Sequence, residues 1–549
     1  MGEVAKKRER HGAKDVITKR VGVLSVVGMF YAMCCAGAYG IEEMIPEVGP
    51  GLTVVMLVVL PFVWALPYSY ICAELGSARP VEGGNIMWVK EALGEFWFGI
   101  MVFVNFIWGL VANTVYVVLA VSYFGTMIEL TSIQAYVLKV GLILIFFVVN
   151  VLGIKEVSFV STVLSVAVMA VFLLVAVVGF AHMDSNPMIP FMSDEYDGNV
   201  FMTIGAGLAI GIWMYSGFDE ISLVAGEIKE SHKIIPKALM IVIPLMILTY
   251  VLPTIAGLGS VGQWELWTTE PDGIGYHTVL SQFAPKIFSV IFVFVAIIGQ
   301  CAIYNMCVAV AARSSMILAD EHFGPRGLAK LSNSRGTPVI SLIVVIIVTT
   351  ALLGTPNHPL EFTFLVVLDV FFSVFVCALT VISAVILKRR IPADEVPFKA
   401  PGGKTGHNIM AGLCLFFCVA IVLLNGTDYF LGGYLVMLLI PIIYVACKWI
   451  WKGTTVKEPE LYPIDSRTKL GFGDVTKIGG YFLCFGLFGI IARYFLQWYE
   501  SDWGPDYYIE EYESGMFSNF YSMLNMITLV GIIALVIGIV IFAVGRKLR

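Results

Sequence analysis

The chain has 549 residues, of which 58% are hydrophobic and 13% are charged, with a formal net charge of −6. Soluble domains are about half apolar and about a quarter charged, so this chain is too poor in charge to cover itself in water. Its mean hydropathy of +0.87 excludes a soluble globular protein and requires a lipid bilayer as solvent. No stretch is basic enough for a nucleic-acid partner.

The N-terminal segment, residues 1–20, is polar and basic. It lacks the apolar h-region of a signal peptide, so we expect a cytoplasmic tail. Beyond it the chain alternates between apolar runs and short polar connections. A membrane-spanning helix needs roughly 20 mainly apolar residues. Fourteen runs meet this requirement: 22–46, 51–77, 96–124, 135–152, 157–181, 200–225, 238–260, 283–312, 338–355, 361–387, 408–426, 431–450, 477–497 and 521–545.

The distribution of Lys and Arg predicts the orientation. If the N-terminus is cytoplasmic, every Lys and Arg of the 34 lies on the cytoplasmic side except Lys139, Lys286 and Arg493. Positive charge is enriched on the cytoplasmic side of membrane proteins. We therefore expect fourteen spans in the plasma membrane, with both termini in the cytoplasm.

Glycine clusters interrupt two of the runs. The first run contains Ala36-Gly37-Ala38-Tyr39-Gly40. The sixth contains Gly205, Gly207 and Gly211, then Trp213-Met214-Tyr215-Ser216-Gly217 followed by Phe218-Asp219-Glu220. Two discontinuous helices five spans apart are typical of an inverted repeat with a site at mid-bilayer. Half-helix N-termini at such a site favour a substrate carboxylate. The alternative is that these glycines serve close helix packing.

Several motifs in chain order carry a resemblance to a known family. They are Gly40-Ile41-Glu42-Glu43, Trp64-Ala65-Leu66-Pro67, Ala73-Glu74-Leu75, Ala225-Gly226-Glu227-Ile228, Ile235-Pro236-Lys237-Ala238, Ala319-Asp320, Lys388-Arg389-Arg390 and Pro397-Phe398-Lys399-Ala400-Pro401. Over roughly residues 20–450 the chain resembles the amino acid–polyamine–organocation superfamily. Within it the chain is most similar to the polyamine-uptake and cationic amino acid transporter groups.

The resemblance implies an all-α multi-pass fold with a LeuT-type core of five plus five inverted-repeat spans. We expect a tail at 1–20, this core at 21–390, spans eleven and twelve at 391–452, and two additional spans at 453–549. It also implies a secondary active transporter that works by alternating access. The substrate would be an amino acid or related amine.

The candidate substrate-binding residues come from the two interrupted runs and from polar residues elsewhere. The resemblance places the backbone of Gly37–Gly40 and Trp213–Gly217 in the pocket, and unpaired main chain at this depth must face a cavity or a ligand. Ionisable residues within spans are costly, which marks Asp219, Glu220 and Asp369 as functional candidates. Helical spacing adds side chains of the third and eighth runs. The full set is Ala36, Gly37, Ala38, Tyr39, Gly40, Asn113, Tyr116, Trp213, Tyr215, Ser216, Gly217, Phe218, Asp219, Glu220, Tyr304 and Asp369.

The balance of acids favours a cationic substrate, a polyamine or a basic amino acid, because no Lys or Arg lies in mid-span near Asp219, Glu220 and Asp369. A zwitterion could also bind, so a neutral amino acid exchanger or uniporter is the alternative, and a channel is a remote one. Coupling to a proton or to exchange is left open, as is a monomer or homodimer. We expect no metal, cofactor or enzymatic activity, since no span clusters His, Ser or Cys with acids.

Overall fold

The computed structural model describes residues 23–35, 37–79, 84–152, 157–196, 198–217, 231–270, 273–332, 337–360, 362–512 and 515–548. Four candidate residues lie outside this described part of the chain: Ala36, Phe218, Asp219 and Glu220. The expected N-terminal tail lies outside it as well.

The described residues fold almost entirely into helices. The first half of the chain forms α1 (Val23–Cys34), α2 (Met44–Val48), α3 (Pro50–Leu60), α4 (Leu66–Ala78), α5 (Gly84–Leu93), α6 (Glu95–Gly125), α7 (Ser132–Leu152), α8 (Val157–Ala181) and α9 (Val200–Met214). The second half forms α10 (Ser231–Ser260), α11 (Tyr276–Phe283), α12 (Lys286–Asp320), α13 (Val339–Ala351), α14 (Phe362–Arg390), α15 (Gly403–Leu424), α16 (Thr427–Trp451), α17 (Asp474–Tyr499), α18 (Gly504–Tyr512) and α19 (Phe520–Leu548).

Short elements connect these helices. A π-helical turn at Pro61–Ala65 joins α3 to α4, so that the two run as one rod. Single 3₁₀ turns lie at Ile41–Glu43, Trp264–Leu266, Arg326–Ala329, Ala393–Glu395 and Gly453–Val456. The strands β1 (Gly354–Thr355) and β2 (His358–Pro359) pair antiparallel in the connection from α13 to α14.

Ten helices within the described ranges are long and apolar enough to cross a membrane: the α3–α4 rod, α6, α7, α10, α12, α14, α15, α16, α17 and α19. Shorter apolar helices occupy 166–181 of α8, α9 and α13. The protein is therefore a helical multi-pass membrane protein. Thirteen of the fourteen apolar runs overlap one of these helices, and the run at 22–46 is instead divided between α1, the turn at Ile41–Glu43 and α2.

Two of the motifs in the sequence meet at one end of the bundle. Glu74 of α4 forms an ion pair with Lys388 of α14, and its second carboxylate oxygen lies 2.9 Å from Nδ1 of His407 in α15. Glu74 and His407 are both buried. A buried charge is tolerated only with partners, so Lys388 and His407 stabilise the buried carboxylate of Glu74.

The last two long helices, α17 and α19, pack through small residues. A Cβ atom at Gly479 would lie 2.4 Å from the backbone nitrogen of Phe542, and one at Gly486 would lie 2.7 Å from that of Leu535. Glycines let membrane helices approach to backbone contact. Near the start of α17, Glu95 of α6 and Lys448 of α16 form a buried ion pair. Asp474, the first residue of α17, accepts a hydrogen bond from Tyr444 at 2.6 Å.

A buried acid lies where α17 gives way to the 497–519 connection. Glu500 is fully buried, and one of its oxygens accepts hydrogen bonds from Thr427 at 2.7 Å and from Tyr508 at 2.9 Å. Burial raises the pKa of Glu500 to about 8, against the effect of the hydrogen bond from Thr427, and the nearby Asp428 raises it further. The acid therefore links α16, α17 and α18.

This raised pKa predicts a pH-dependent stability. A carboxyl group whose pKa is higher in the folded protein holds its proton more tightly there, so stability falls as the pH rises from about 4.5 toward about 8. We expect the melting temperature of the detergent-purified protein to fall over this range, and the Glu500→Gln variant to show a smaller fall. The exposed neighbour Glu510 provides the control Glu510→Gln, which should follow the wild type. Parallel curves for the Glu500→Gln variant and the wild type would contradict the assignment.

Candidate functional site

The first break, whose described residues are 35 and 37–40, separates α1 from the turn at Ile41–Glu43. Gly37 and Gly40 have φ angles of 103° and 93°, which side chains other than glycine rarely adopt. Space is equally restrictive: a Cβ at Gly37 would lie 2.3 Å from the ring of Phe172, and one at Gly40 would lie 2.7 Å from the ring of Phe362. The glycines therefore serve both the turn and the close approach of neighbouring helices.

The second break, residues 215–217, follows the end of α9. The last carbonyls of a helix have no partner within it. Here the Tyr215 amide donates to the Ile212 carbonyl at 3.0 Å, and the Ser216 amide donates to the Trp213 carbonyl at 3.1 Å. The Ser216 hydroxyl also donates to the Ile212 carbonyl at 2.7 Å. Gly217, with φ of 95°, then turns the chain out of the helix.

Tyr215 ties the second break to the α3–α4 rod. Pro61 has no N–H, so the Leu57 carbonyl, four residues earlier, lacks its usual helical donor. The Tyr215 hydroxyl donates to this carbonyl at 2.6 Å. The proline in one helix thereby creates the acceptor that holds the other.

Tyr250 of α10 connects the two breaks to each other. Its hydroxyl donates to the Met214 carbonyl, the last of α9, at 2.9 Å, and lies 3.4 Å from the Cys34 carbonyl, the last of α1. One hydroxyl has one proton, so the two carbonyls share a single donor. Tyr250 is 1% exposed. One buried side chain therefore contacts the ends of both interrupted helices.

Both breaks open onto one cavity, called the central cavity here, of about 80 Å³. Its lining comes from α1, the first break, α6, α9, the second break, α10, α12 and α14. The lining residues are Cys34, Gly37, Tyr39, Trp108, Ala112, Tyr116, Trp213, Met214, Ser216, Gly217, Tyr250, Gln300, Ile303, Met306, Cys307 and Asp369.

Seven residues of the predicted set line this cavity: Gly37, Tyr39, Tyr116, Trp213, Ser216, Gly217 and Asp369. Five other described members of the set lie behind its wall. Ala38 and Asn113 are fully buried, Gly40 packs against Phe362 and Trp213, Tyr215 bonds to Leu57, and the ring of Tyr304 packs on Phe146 at 5.7 Å. The buried Asn113 amide and Tyr304 hydroxyl have no hydrogen-bond partner within the described ranges.

The remaining lining residues were not in the predicted set. Intervals of four from the predicted Tyr116 reach Ala112 and Trp108, and intervals of three and four from Gln300 reach Ile303 and Cys307, so continued helical spacing finds them. Tyr250 offered no such signal, because a tyrosine in an apolar run is most often a packing residue.

The electrostatics of the central cavity favour a cation. Asp369 is 4% exposed, and no Lys, Arg or His is among the described lining residues. Aromatic rings line the same cavity as the acid: those of Tyr116 and Trp213 lie 6.0 Å apart, and Trp213 meets Phe362, behind it, edge to face at 5.6 Å. Such rings attract ammonium groups.

Polar atoms of the cavity wall are also available to a ligand. The Trp108 indole N–H, the Gln300 carbonyl oxygen and the Tyr39 hydroxyl make no hydrogen bond to the described part of the chain. Buried polar atoms are normally paired, so unpaired ones around a cavity indicate a place for a polar guest. No group of three His, Cys, Asp or Glu side chains suited to a metal ion occurs among the described residues.

Comparison with known proteins agrees with this geometry. A family model described as amino acid permease matches residues 21–447, more than half of the chain. The polyamine transporter RMV1 of Arabidopsis thaliana is 26% identical over 405 residues, covering 71% of this chain and 78% of the relative. The vacuolar cationic amino acid transporter 8 of the same plant is 23% identical over 402 residues, covering 67% and 62%. The polyamine transporter PUT1 of Oryza sativa subsp. japonica is 26% identical over 253 residues, covering 45% and 46%.

The shared hydroxyl of Tyr250 leads to a testable prediction. In the Tyr250→Phe variant the Met214 carbonyl loses its donor, at a cost of about 1–3 kcal/mol for a buried unsatisfied group. We expect hydrogen–deuterium exchange to accelerate about tenfold, the factor that 1.4 kcal/mol produces, in peptides covering both breaks. The matched control is Tyr276→Phe, which removes a buried hydroxyl that bonds to Thr254 of α10 at 2.7 Å. Exchange unchanged from wild type at both breaks would contradict the role of Tyr250.

Proposed function

This chain belongs to the amino acid permease family and is a transporter, and on that premise we propose that it moves small organic cations by alternating access. The observation that carries the proposal is the central cavity. Its described lining holds one carboxylate, Asp369, several aromatic faces and no basic side chain. A substrate with one or more ammonium groups complements that lining.

The preferred substrates in this proposal are polyamines and basic amino acids. Relatives bearing polyamine transporter and cationic amino acid transporter in their names support this class. Asp369 would pair with an ammonium group of the substrate, and the rings of Trp213 and Tyr116 would pack against the substrate's apolar or cationic parts. Asp219 and Glu220, outside the described residues, are proposed as further acids for a substrate ammonium or for a coupling proton. Exchange is the alternative form of coupling.

The proposed architecture is the LeuT-type core of two inverted five-span repeats, in fourteen spans altogether. Its support is the position of the two breaks, in the first and sixth of the apolar runs, both of which line one cavity. The division into a core at 21–390, spans eleven and twelve at 391–452 and an additional pair at 453–549 is part of the same proposal. The close glycine packing of α17 on α19 supports a separate terminal pair.

We place the transporter in the plasma membrane with both termini in the cytoplasm. Basic residues at the C-terminal ends of spans support this orientation: Lys388, Arg389 and Arg390 close α14, and Arg546 and Lys547 close α19. Alternating access would rock the first, second, sixth and seventh spans against the third, fourth, eighth and ninth.

Two other functions compete with this proposal. A neutral amino acid exchanger would place its substrate's amine near an acid and its carboxylate on a half-helix N-terminus. A channel would show turnover near channel rates. Uptake of labelled putrescine, lysine and leucine into proteoliposomes separates these cases. The proposal expects the two cations to be carried at carrier rates and leucine poorly.

Asp369 gives this proposal its sharpest test. In the Asp369→Asn variant we expect the KM for putrescine and lysine to rise about tenfold or more, because a hydrogen bond to a charged group contributes about 1.5–3 kcal/mol. Any residual leucine uptake should change little. The control is Asp428→Asn, since Asp428 is a buried acid that accepts a hydrogen bond from Tyr512 away from the cavity. Equal KM values for putrescine in the Asp369→Asn variant and the wild type would contradict the proposal.

A further inference from the structure

The amide that begins the second half of the first span is already occupied by a side chain of the protein. Gly40 is the residue before the turn at Ile41–Glu43, which continues into α2. Its amide donates to one carboxyl oxygen of Glu42 at 2.9 Å. The other oxygen of Glu42 accepts a hydrogen bond from Tyr123 at 2.8 Å. Glu42 is fully buried, so this carboxyl group is fixed from both sides.

The position of this group matters because it is where a substrate carboxylate would be expected to bind. Unwound spans present half-helix amides to anionic groups of substrates. The Gly40 amide has a single N–H, and Glu42 accepts its hydrogen bond. Within the first break, the Gly37 amide is likewise used, by the Cys35 carbonyl. A carboxylate entering the central cavity therefore finds these two amides taken.

The occupied amide adjoins the central cavity. Tyr39 lines the cavity, and its ring packs edge to face on Tyr123, the residue that holds Glu42, with 5.1 Å between the ring centres. On the other side, a Cβ at Gly40 would lie 3.4 Å from the ring of Trp213, which also lines the cavity. Glu42 thus lies directly behind the aromatic wall that a substrate would touch.

The neighbouring acid is engaged elsewhere and does not share this arrangement. Glu43 accepts hydrogen bonds from the Thr268 hydroxyl at 2.9 Å and from the Thr269 amide at 2.6 Å, in the connection between α10 and α11. Two adjacent acids of one motif therefore have separate partners, and Glu42 is the one that bonds to the Gly40 amide.

We propose that Glu42 determines specificity by occupying the Gly40 amide, so that the transporter binds amines without a carboxylate more tightly than the amino acids that carry the same amines. This inference rests on the proposed function, and it ranks polyamines above basic amino acids among the cationic substrates. The preference has two causes: the N–H of Gly40 is already used, and the position beside it is filled by a carboxyl group.

Two ligand pairs isolate the carboxylate. Putrescine and ornithine differ by one carboxylate on the same diamine, and so do cadaverine and lysine. The measurement is the dissociation constant of each ligand for the purified full-length protein, by displacement of labelled putrescine. In the wild type we expect each diamine to bind about tenfold or more tightly than its amino acid, the effect of one charge-assisted hydrogen bond.

The variants separate occupancy of the amide from the acidic character of the side chain. Glu42→Ala frees the Gly40 amide, and we expect the ratio of the amino acid's dissociation constant to the diamine's to narrow to within about threefold, as one hydrogen bond becomes available. Glu42→Gln replaces the carboxyl group with an amide that keeps an acceptor oxygen, so the ratio should stay near that of wild type. Glu43→Ala is the matched control and should leave the ratio unchanged. If Glu42→Ala does not fold, Tyr123→Phe releases one side of the carboxyl group and should narrow the ratio in the same direction.

The outcomes distinguish failure of the role of Glu42 from failure of the proposed function. A ratio that narrows in Glu42→Ala and not in Glu42→Gln or Glu43→Ala supports the inference. A wild type that binds ornithine as well as putrescine, a ratio unchanged in Glu42→Ala and in Tyr123→Phe, or an equal narrowing in Glu42→Gln would overturn it while leaving cation transport intact. A wild type that binds none of the four ligands would contradict the proposed function, and the inference would fall with it.

Discussion

Hydrogen bonding of the backbone inside the bilayer is the constraint on which this structure depends. A spanning helix satisfies its own amides and carbonyls, and a helix that stops in mid-bilayer leaves some of them unpaired, each at a cost of several kcal/mol in hydrocarbon. The protein stops two helices, α1 and α9, beside the same cavity. Every carbonyl from Ile212 to Met214 then has a partner: the Tyr215 amide, the Ser216 amide and the Tyr250 hydroxyl.

These partners come from different parts of the chain, so the two breaks depend on tertiary contacts with several helices. Tyr250 contributes from α10 to both helix ends, and Tyr215 bonds to a carbonyl that Pro61 leaves without a donor. Glu42 occupies the amide at the start of the resumed first span, with Tyr123 of α6 behind it. Polar atoms of Trp108, Gln300 and Tyr39, three residues that line the cavity, have no hydrogen-bond partner among the described residues. The hydrogen-bond donors and acceptors that remain for a ligand are therefore those that the two breaks do not use.

Much of this was predictable from sequence because the signals are local. Apolar runs of about 20 residues predicted the long helices, and the glycines at 37, 40 and 217 predicted the breaks, since only glycine readily takes the positive φ angles found there. The acid Asp369, isolated among apolar residues, was predicted as a site residue, and it lines the cavity. Each of these inferences needs only the residue and its immediate neighbours.

The partners of the breaks could not be predicted because they depend on tertiary contacts. Tyr250 is 36 residues from Met214 and 216 from Cys34, and nothing in its own apolar run distinguishes it from a packing tyrosine. Asn113 and Tyr304 have the expected helical spacing but lie behind the wall, because the rotation of α6 and α12 decides which face meets the cavity. Spacing gives a stripe on a helix, and packing decides where that stripe points.

A density map of the full-length protein in a lipid bilayer with putrescine bound tests the central claim most directly. The account predicts α1 and α9 interrupted at residues 35–40 and 215–217, with ligand density between the two breaks and one end of it beside Asp369. Two continuous helices packed without a cavity, or putrescine bound at another place with the central cavity empty, would contradict it.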